Sequence, residues 1–172
     1  GELPQPFLLD DNIWLSDDEV GVVCINDQTG EVTEYRTADI FQDEYANALC
    51  YWTDGRFLLL DNGGWYLYDV QTGQLRDMAA ELLTPELKAE VDRLCLGENP
   101  SEEERELHEK YYWPYLNWPL PVGDPIPAIW FEGADGRDLH FVLHISYWPQ
   151  WEPGKTMNIE FKDYPLVYHL PE

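Results

Sequence analysis

Two stretches of the chain share one pattern of apolar and turn residues at an offset of 43 residues, and this repeat most constrains the fold. Residues 22–32 (VVCINDQTGEV) align without a gap on residues 65–75 (WYLYDVQTGQL). The alignment continues upstream, where Trp14 falls on Phe57. A repeat of this length is typical of proteins that use one supersecondary unit several times. We therefore predict two copies of one unit within the first 80 residues.

Each copy is predicted to form antiparallel strands. Tyr66, Tyr68 and Val70 occupy alternate positions, which is the period of a half-buried strand. The residues that follow, Gln71-Thr72-Gly73, are typical of a turn in which Gly supplies a positive φ. Together with turn signals at Asp54-Gly55 and Asn62-Gly63-Gly64, this pattern predicts strands at 49–53, 56–61, 65–70 and 74–78.

The strand that leads into Asp69-Val70-Gln71-Thr72-Gly73 resembles a β-propeller blade of the pyrroloquinoline-quinone type, in which Asp-x-x-Thr-Gly ends a strand. Asn26-Asp27-Gln28-Thr29-Gly30 matches less closely, and the resemblance covers residues 7–80. A closed propeller needs at least about four blades, so two copies cannot close a ring. The resemblance implies blade-like hairpins in a two-lobed or sandwich-like arrangement, and no propeller cofactor or catalytic site is carried over.

Residues 84–112 are predicted to form two helices. Thr84 is a typical N-cap followed by Pro85 at the first helical position, and Gly97 ends the first apolar pattern. Ser101 and Glu104 have the spacing of a capping box, which starts the second helix. The two segments predict a helical hairpin in the middle of the chain.

The C-terminal part does not follow the repeat. Prolines forbid a helix or central strand across 113–127, and residues 128–172 are predicted to form β-hairpins. Asp135-Gly136 is a hairpin turn, and residues 157–161 and 166–170 suggest two final strands. The chain is thus predicted to be a single mainly β (α+β) domain, residues 1–172, that is not a closed propeller.

The charge balance restricts the partners of the protein. There are 34 acidic and 10 basic side chains, so the formal net charge is −24. Nucleic-acid binding depends on Lys and Arg contacts to phosphates, so direct binding to nucleic acid is not expected. The acidic surface can serve solubility alone, or it can attract a basic partner. No apolar run approaches the ~18 residues that a membrane span needs, so no span is predicted.

No residue pattern predicts catalysis, a cofactor or a metal site. His140 and His144 are four residues apart, but in a strand this spacing places them ~13 Å apart, too far to share one metal ion. The carboxylates are too numerous to single out a catalytic pair, and no phosphate loop, dinucleotide motif or nucleophile elbow is present. Cys24 and Cys50 lie in strand-like stretches, where a buried free thiol is the ordinary state and a disulfide the alternative. We do not expect an enzyme.

Aromatic residues in two proline-rich segments are the candidate ligand contacts. Indole and phenol rings offer a large contact area with a polar edge, and they are enriched at binding hot spots. The alternative is that the segments fold back and bury their rings as core. The predicted ligand-binding residues are Tyr112, Trp113, Tyr115, Trp118, Trp148 and Trp151.

These features predict a non-enzymatic binding module whose partner is a protein, a peptide or a glycan. The chain begins with Gly1 and has no leader, and we interpret this start as processing that favours an extracellular or cell-envelope location over the cytoplasm. One alternative is an intracellular inhibitor or immunity-type protein that binds a basic partner or imitates nucleic acid. Another is a carboxylate-dependent hydrolase. Unfinished sheet edges also predict a homo-oligomer.

Overall fold

A computed structural model describes residues 4–115, 127–148, 154 and 158–172. It confirms the mainly β fold class, with antiparallel sheets, short helices and no closed propeller among these residues. The chain divides into two compact units, Gly1–Ala79 and Ala80–Glu172. Each unit is described by itself below.

The first unit contains two four-stranded antiparallel sheets. The first sheet has the order β1 (Phe7–Leu9), β2 (Asn12–Asp17), β3 (Gly21–Asn26) and β4 (Val32–Arg36). The second sheet has the order β5 (Leu49–Thr53), β6 (Phe57–Asp61), β7 (Trp65–Asp69) and β8 (Leu75–Asp77). The predicted strands of the second copy are confirmed, with small shifts at their ends. A short helix that was not predicted, α1 (Thr37–Phe41), follows β4.

The two sheets are equivalent under the 43-residue offset, with one difference in register. Leu15 pairs with Val23 in the first sheet, whereas Leu58, which is equivalent to Leu15, pairs with Tyr68 in the second. The shift is two residues. Because side chains alternate between the faces of a sheet with a period of two, equivalent residues keep equivalent faces.

The repeated turn after β3 and β7 shows why Asn or Asp, followed three residues later by Thr-Gly, recurs. The side chain of Asn26 accepts hydrogen bonds from the backbone N–H groups of residues 28 and 29, and Asp69 accepts from that of residue 71. The Thr hydroxyl of each copy accepts from the backbone N–H two residues later. Gly30 and Gly73 have φ of +73° and +74°, a conformation that glycine adopts without a steric cost.

The core of the first unit lies between the facing sheets. Trp14, Val22 and Cys24 of the first sheet belong to one buried cluster with Leu58 and Leu60 of the second. A buried hydroxyl also joins the sheets: Ser16 Oγ accepts from Cys50 N at 2.9 Å and donates to Cys50 O at 3.3 Å. Both cysteines are free, and burial raises the pKa of the Cys50 thiol to about 12.

The second unit contains the predicted helices, α3 (Pro85–Leu96) and α4 (Glu102–Tyr111). Thr84 caps α3 by accepting from Leu87 N, and Ser101 and Glu104 form the predicted capping box. A four-residue helix, α2 (Ala79–Leu82), precedes them; it was not predicted because it is too short to show helical periodicity. One turn of 3₁₀-helix follows α4 at Trp113–Tyr115.

The C-terminal sheet has the order β11 (Glu160–His169), β10 (Asp138–Tyr147), β9 (Pro127–Asp135). The hairpin at Gly136 is confirmed. The expectation of two separate final strands is wrong, because β11 runs without interruption through Pro165. Proline is tolerated there since β11 is an edge strand, whose outward N–H groups need no partner in the sheet. Pro127 is likewise the first residue of β9 rather than the last loop residue.

Candidate functional site

Two of the predicted ligand-binding residues lie at the end of α4 and are buried. Tyr112 Oη donates to the backbone oxygen of Ser146 at 3.3 Å, and Trp113 Nε1 donates to Asp92 Oδ1 at 2.8 Å. These bonds join α4 to β10 and the 3₁₀ turn to α3. The arrangement matches the alternative in which the rings serve as core, and a ligand contact at Tyr112 or Trp113 stays a prediction.

His108 belongs to the same polar cluster. Its Nδ1 lies 3.0 Å from Asp92 Oδ1, and its ring stacks on Tyr112 with centroids 4.3 Å apart. Burial lowers the pKa of His108, and the neighbouring Asp92 opposes this shift. Burial also raises the pKa of Cys95 to about 11, so this thiol is not activated as a nucleophile at neutral pH. The cluster therefore holds the helical hairpin in place and has no reactive thiolate.

The other predicted ligand contacts are not brought together by the described residues. Trp148 follows β10 and is exposed. Trp118 and Trp151 lie outside the described residues, and so does the side chain of Tyr115. A platform built from the two proline-rich segments therefore stays a prediction.

An exposed aromatic stack that we did not predict crosses the C-terminal sheet. His144 of β10 lies between Trp130 of β9 and Phe161 of β11, with ring centroids 4.7 Å and 5.3 Å away and interplanar angles of 15° and 23°. The three residues are diagonal neighbours on adjacent strands, a spacing that long aromatic side chains can bridge. Trp130 is 50% exposed and Phe161 is 65% exposed.

Further apolar side chains extend this stack along the same side of the sheet. Val142 pairs directly with Trp130, and Val167 pairs with His140 on the neighbouring strand. Val167 and Pro165 are exposed, whereas Val142 and His140 are half-buried. We call this surface the aromatic face: Trp130, His140, Val142, His144, Phe161, Pro165 and Val167.

The opposite side of the sheet is core, which explains why the aromatic face points outward. The alternate residues of β10, Leu139, Phe141, Leu143 and Ile145, are all buried. Because successive side chains of a strand point to opposite sides, their neighbours Val142 and His144 must lie on the other side. Trp130 shares that side because it pairs with Val142.

The orientation of the rings limits what the aromatic face can bind. Side chains stand roughly perpendicular to a sheet, so parallel rings on adjacent strands stand side by side and cover one another's faces. The faces of the His144 ring are covered by Trp130 and Phe161, which leaves mainly ring edges and the outer ends of the stack to solvent. A flat sugar ring needs an open aromatic face, whereas apolar and aromatic side chains can fit against edges and ends.

Acidic groups lie beside the central ring of the aromatic face and at one end of the face. Asp163 pairs with His144, and its Oδ1 is 2.6 Å from His144 Nδ1, which holds the central ring of the stack. At one end, Asp135 and Asp138 are paired across β9 and β10, and Asp138 Oδ1 is 2.5 Å from His169 Nδ1. A ligand of this face therefore meets apolar side chains with carboxylates beside them.

His140 and His144 lie on the same side of β10, as their spacing predicts. Among residues 4–115, 127–148 and 158–172, no group of three His, Cys, Asp or Glu side chains is placed to hold a metal ion. In the same part of the chain, no helix has both the length and the apolar character to cross a membrane.

A signal for the aromatic face was present in the sequence. The predicted hairpin turn at Asp135-Gly136 pairs the segments on either side of it, and the alternation in the second segment places Phe141 and Leu143 on the buried side. The sequence does not show the register that puts Trp130 opposite Val142, because a bulge between His140 and Phe141 shifts the pairing.

Comparison of the chain with protein-family models, with curated proteins and with solved structures finds no match.

Proposed function

We propose that the protein is a non-enzymatic binding module that engages a protein or peptide through the aromatic face. The observation that carries this proposal is the stack of Trp130, His144 and Phe161, whose outer rings are half or more exposed although the core of the same sheet is well buried. Exposed apolar surface of this kind on a soluble unit is typical of an interaction site. Trp and other aromatic residues also dominate the free energy of many interfaces.

The geometry favours a polypeptide over a glycan. Trp130 and Phe161 cover both faces of the His144 ring, so the stack offers ring edges and its two outer ring faces rather than one wide plane. Val142, Pro165 and Val167 extend the surface with aliphatic contacts, which suit the side chains of a protein. We expect an apolar or aromatic anchor in the partner to lie against Phe161 or Trp130.

The charge of the chain indicates which side chains should surround the apolar anchor of the partner. The chain has 34 acidic and 10 basic side chains, so acidic side chains outnumber basic ones by 24. Asp135, Asp138 and Asp163 place part of this charge beside the aromatic face. Complementary charge raises association rates and selects partners. The preferred partner therefore has an apolar centre with Lys or Arg around it.

The test uses a displayed library of random peptides, selected on the immobilised full chain at about 0.15 M salt. Enriched peptides should combine an aromatic residue with Lys or Arg, and their affinity is then measured by calorimetry. The double substitution Trp130→Ser and Phe161→Ser should weaken binding at least about 10-fold, since each 1.4 kcal/mol of contact is a factor of ten. Tyr45→Ser is the matched control, because Tyr45 is highly exposed but lies in the first unit.

Two outcomes would contradict the proposal. Peptides that bind the double variant as well as the wild type do not use the aromatic face. Binding of neutral oligosaccharides that is lost on Trp148→Ser would instead favour the proline-rich segments as the site. In either case the aromatic face has no part in binding.

The second candidate function is that of an acidic inhibitor that binds a basic protein through charge alone. The excess of carboxylates in the chain favours this function. Such binding should weaken steeply between about 0.05 and 0.5 M salt, since screening shortens the range of electrostatic attraction. It should also be unaffected by substitution of Trp130 and Phe161. Location outside the cytoplasm remains a separate proposal, which cell fractionation would test.

A further inference from the structure

The outer side of the first sheet, facing away from the second sheet, is apolar across all four strands. Leu8 pairs with Ile13, Ile13 with Ile25, and Ile25 with Val32, which makes one unbroken row. Leu15 and Val23 form the beginning of a second row. We call this surface the outer face: Leu8, Ile13, Leu15, Val23, Ile25 and Val32.

The outer face is accessible although its residues are of the kind that proteins bury. None of its six residues is buried, and Leu8 is 70% exposed and Val32 55% exposed. Four strands about 4.8 Å apart and three to six residues long give a sheet face of roughly 300 Å², and the six apolar residues cover the larger part of it. Patches of about 300–600 Å² are the largest on an ordinary monomer and are often functional.

The repeat shows what kind of surface covers such a face. The residues 43 positions later than Leu15 and Val23 are Leu58 and Tyr66. These equivalents lie on the side of the second sheet that meets the first sheet, where Leu58 is fully buried and Tyr66 lies against the shared core cluster. The same side of the repeated four-stranded sheet is thus covered by another antiparallel sheet in the second copy and is left open in the first copy.

We propose that the outer face is covered by the outer face of a second copy of the chain, in a two-fold symmetric dimer. A head-to-tail continuation of the repeat would need the far side of the second sheet, but Phe57, Leu59, Trp65 and Leu67 of that side are already buried. A two-fold arrangement needs only the outer face itself, because the same patch serves both partners.

The shape and charge of the outer face suit contact with its own copy. The pairing of β1 to β4 runs without a bulge, so the patch is a regular sheet face, and regular sheet faces can interdigitate at about 10 Å. Of the ionic side chains on this side, Asp17 and Arg36 lie at one end, and Glu34 ends the row of Leu15 and Val23. Glu34 and Arg36 are 3.6 Å apart as an ion pair, and the row from Leu8 to Val32 contains no ionic side chain. The apolar row is therefore free to make contact.

The dimer has a distinctive dependence on salt. Two copies would bury roughly 600 Å² in total, which is below the 1,200–2,000 Å² of stable complexes, so the association is weak. Each copy carries a net charge of −24, so the copies repel one another at low salt. The Debye length falls from about 30 Å at 0.01 M to about 3 Å at 1 M salt, which removes most of this repulsion. Added salt should therefore strengthen the dimer.

The experiment is sedimentation equilibrium of the full chain at about 10–500 µM, in about 0.02 M and about 1 M NaCl. We expect a monomer at low salt and a reversible dimer at high salt, with association at least about 10-fold stronger in high salt. The substitutions Leu8→Asp and Val32→Asp, singly and together, should shift the chain back to monomer. Val167→Asp is the control, because Val167 is comparably exposed but lies on the aromatic face.

Each other result overturns the proposal. A chain that stays monomeric at every salt concentration has no such dimer, and this measurement needs no variant. A dimer that dissociates with salt is held by charge and not by the outer face. A dimer that Val167→Asp abolishes and Leu8→Asp leaves intact uses the aromatic face. Circular dichroism of the single variants, whose substituted side chains are exposed, shows whether they keep the fold.

Discussion

Replacing Asp69 with Asn should destabilise the first unit by removing one charge while keeping the turn that contains it. Asp69 Oδ2 lies 2.9 Å from Arg56 Nη2, and Arg56 Nε lies 3.3 Å from both carboxylate oxygens. Asp69 Oδ1 also accepts from Gln71 N at 2.9 Å. An Asn side chain can still accept that backbone bond, since Asn26 does so in the first copy. The variant therefore isolates the ion pair.

The magnitude follows from the shift in the pKa of Asp69. Its hydrogen bonds with Arg56 are the largest of the causes that lower this pKa from 3.8 to about 2, and hydrogen bonds from Gln71 N and the Thr72 side chain add to the shift. At about 1.4 kcal/mol per pKa unit, the folded state gains roughly 2 kcal/mol at neutral pH. Arg56 is one-third exposed to solvent, which screens the pair, so we expect a loss of roughly 1–2 kcal/mol in the free energy of unfolding.

The pH dependence has a definite sign. Because the pKa of Asp69 is lower in the folded than in the unfolded chain, the unfolded state binds more protons between pH 2 and 4. The stabilisation is complete above about pH 4 and is lost as the pH falls towards 2. The difference in stability between wild type and Asp69→Asn should therefore shrink over this range.

The assay is urea unfolding followed by tryptophan fluorescence, repeated at several pH values between about 2.5 and 7. The matched control is Asn26→Asp, since the position equivalent to Arg56 is Ile13 in the first copy. This control should change stability by less than about 0.5 kcal/mol, the usual range for a surface substitution. A loss below 0.5 kcal/mol for Asp69→Asn, or a difference independent of pH, would refute the reasoning.

Three further outcomes are expected. Ser16→Ala should cost about 1–3 kcal/mol in urea unfolding, because it leaves the buried N–H of Cys50 without its acceptor; a neutral effect would contradict this. Cys50 and Cys95 should react slowly with a thiol reagent at pH 8 and rapidly after unfolding, since burial raises their pKa values to about 12 and about 11; equal rates would mean exposed thiols. Ser101→Ala should cost about 0.5–2 kcal/mol by loss of the capping box with Glu104, and Ser101→Asp should restore most of it.

The sequence predicted the local elements well because their signals are local. The turn at Gly73 and the cap at Ser101 depend on residues within three or four positions, and the structure contains both. The first two sheets were also predictable, since the 43-residue repeat places Trp14 and Phe57 at equivalent positions. The uninterrupted β11 was missed because proline argues against a central strand, and whether a strand lies at an edge depends on its partners.

The candidate site was harder to predict because it depends on register and on burial. Proline-rich aromatic segments drew attention to Tyr112 and Trp113, yet both are buried and bonded to neighbouring elements. Trp130 and Phe161 lie inside strands, where sequence alternation shows that two faces exist but not which one is covered.

Taken alone, the amino-acid sequence determined the mainly β class, the two copies of the repeat, the helical hairpin and the net charge of −24, because period and turn residues are properties of neighbouring positions and charge follows from composition. Only the tertiary structure decided that Trp130, His144 and Phe161 meet on one exposed face. It also decided that Leu58 is fully buried whereas Leu15, the equivalent residue of the first copy, is not. The physical reason is that exposure is set by what lies across from a side chain, and residues far apart in the chain supply that neighbour.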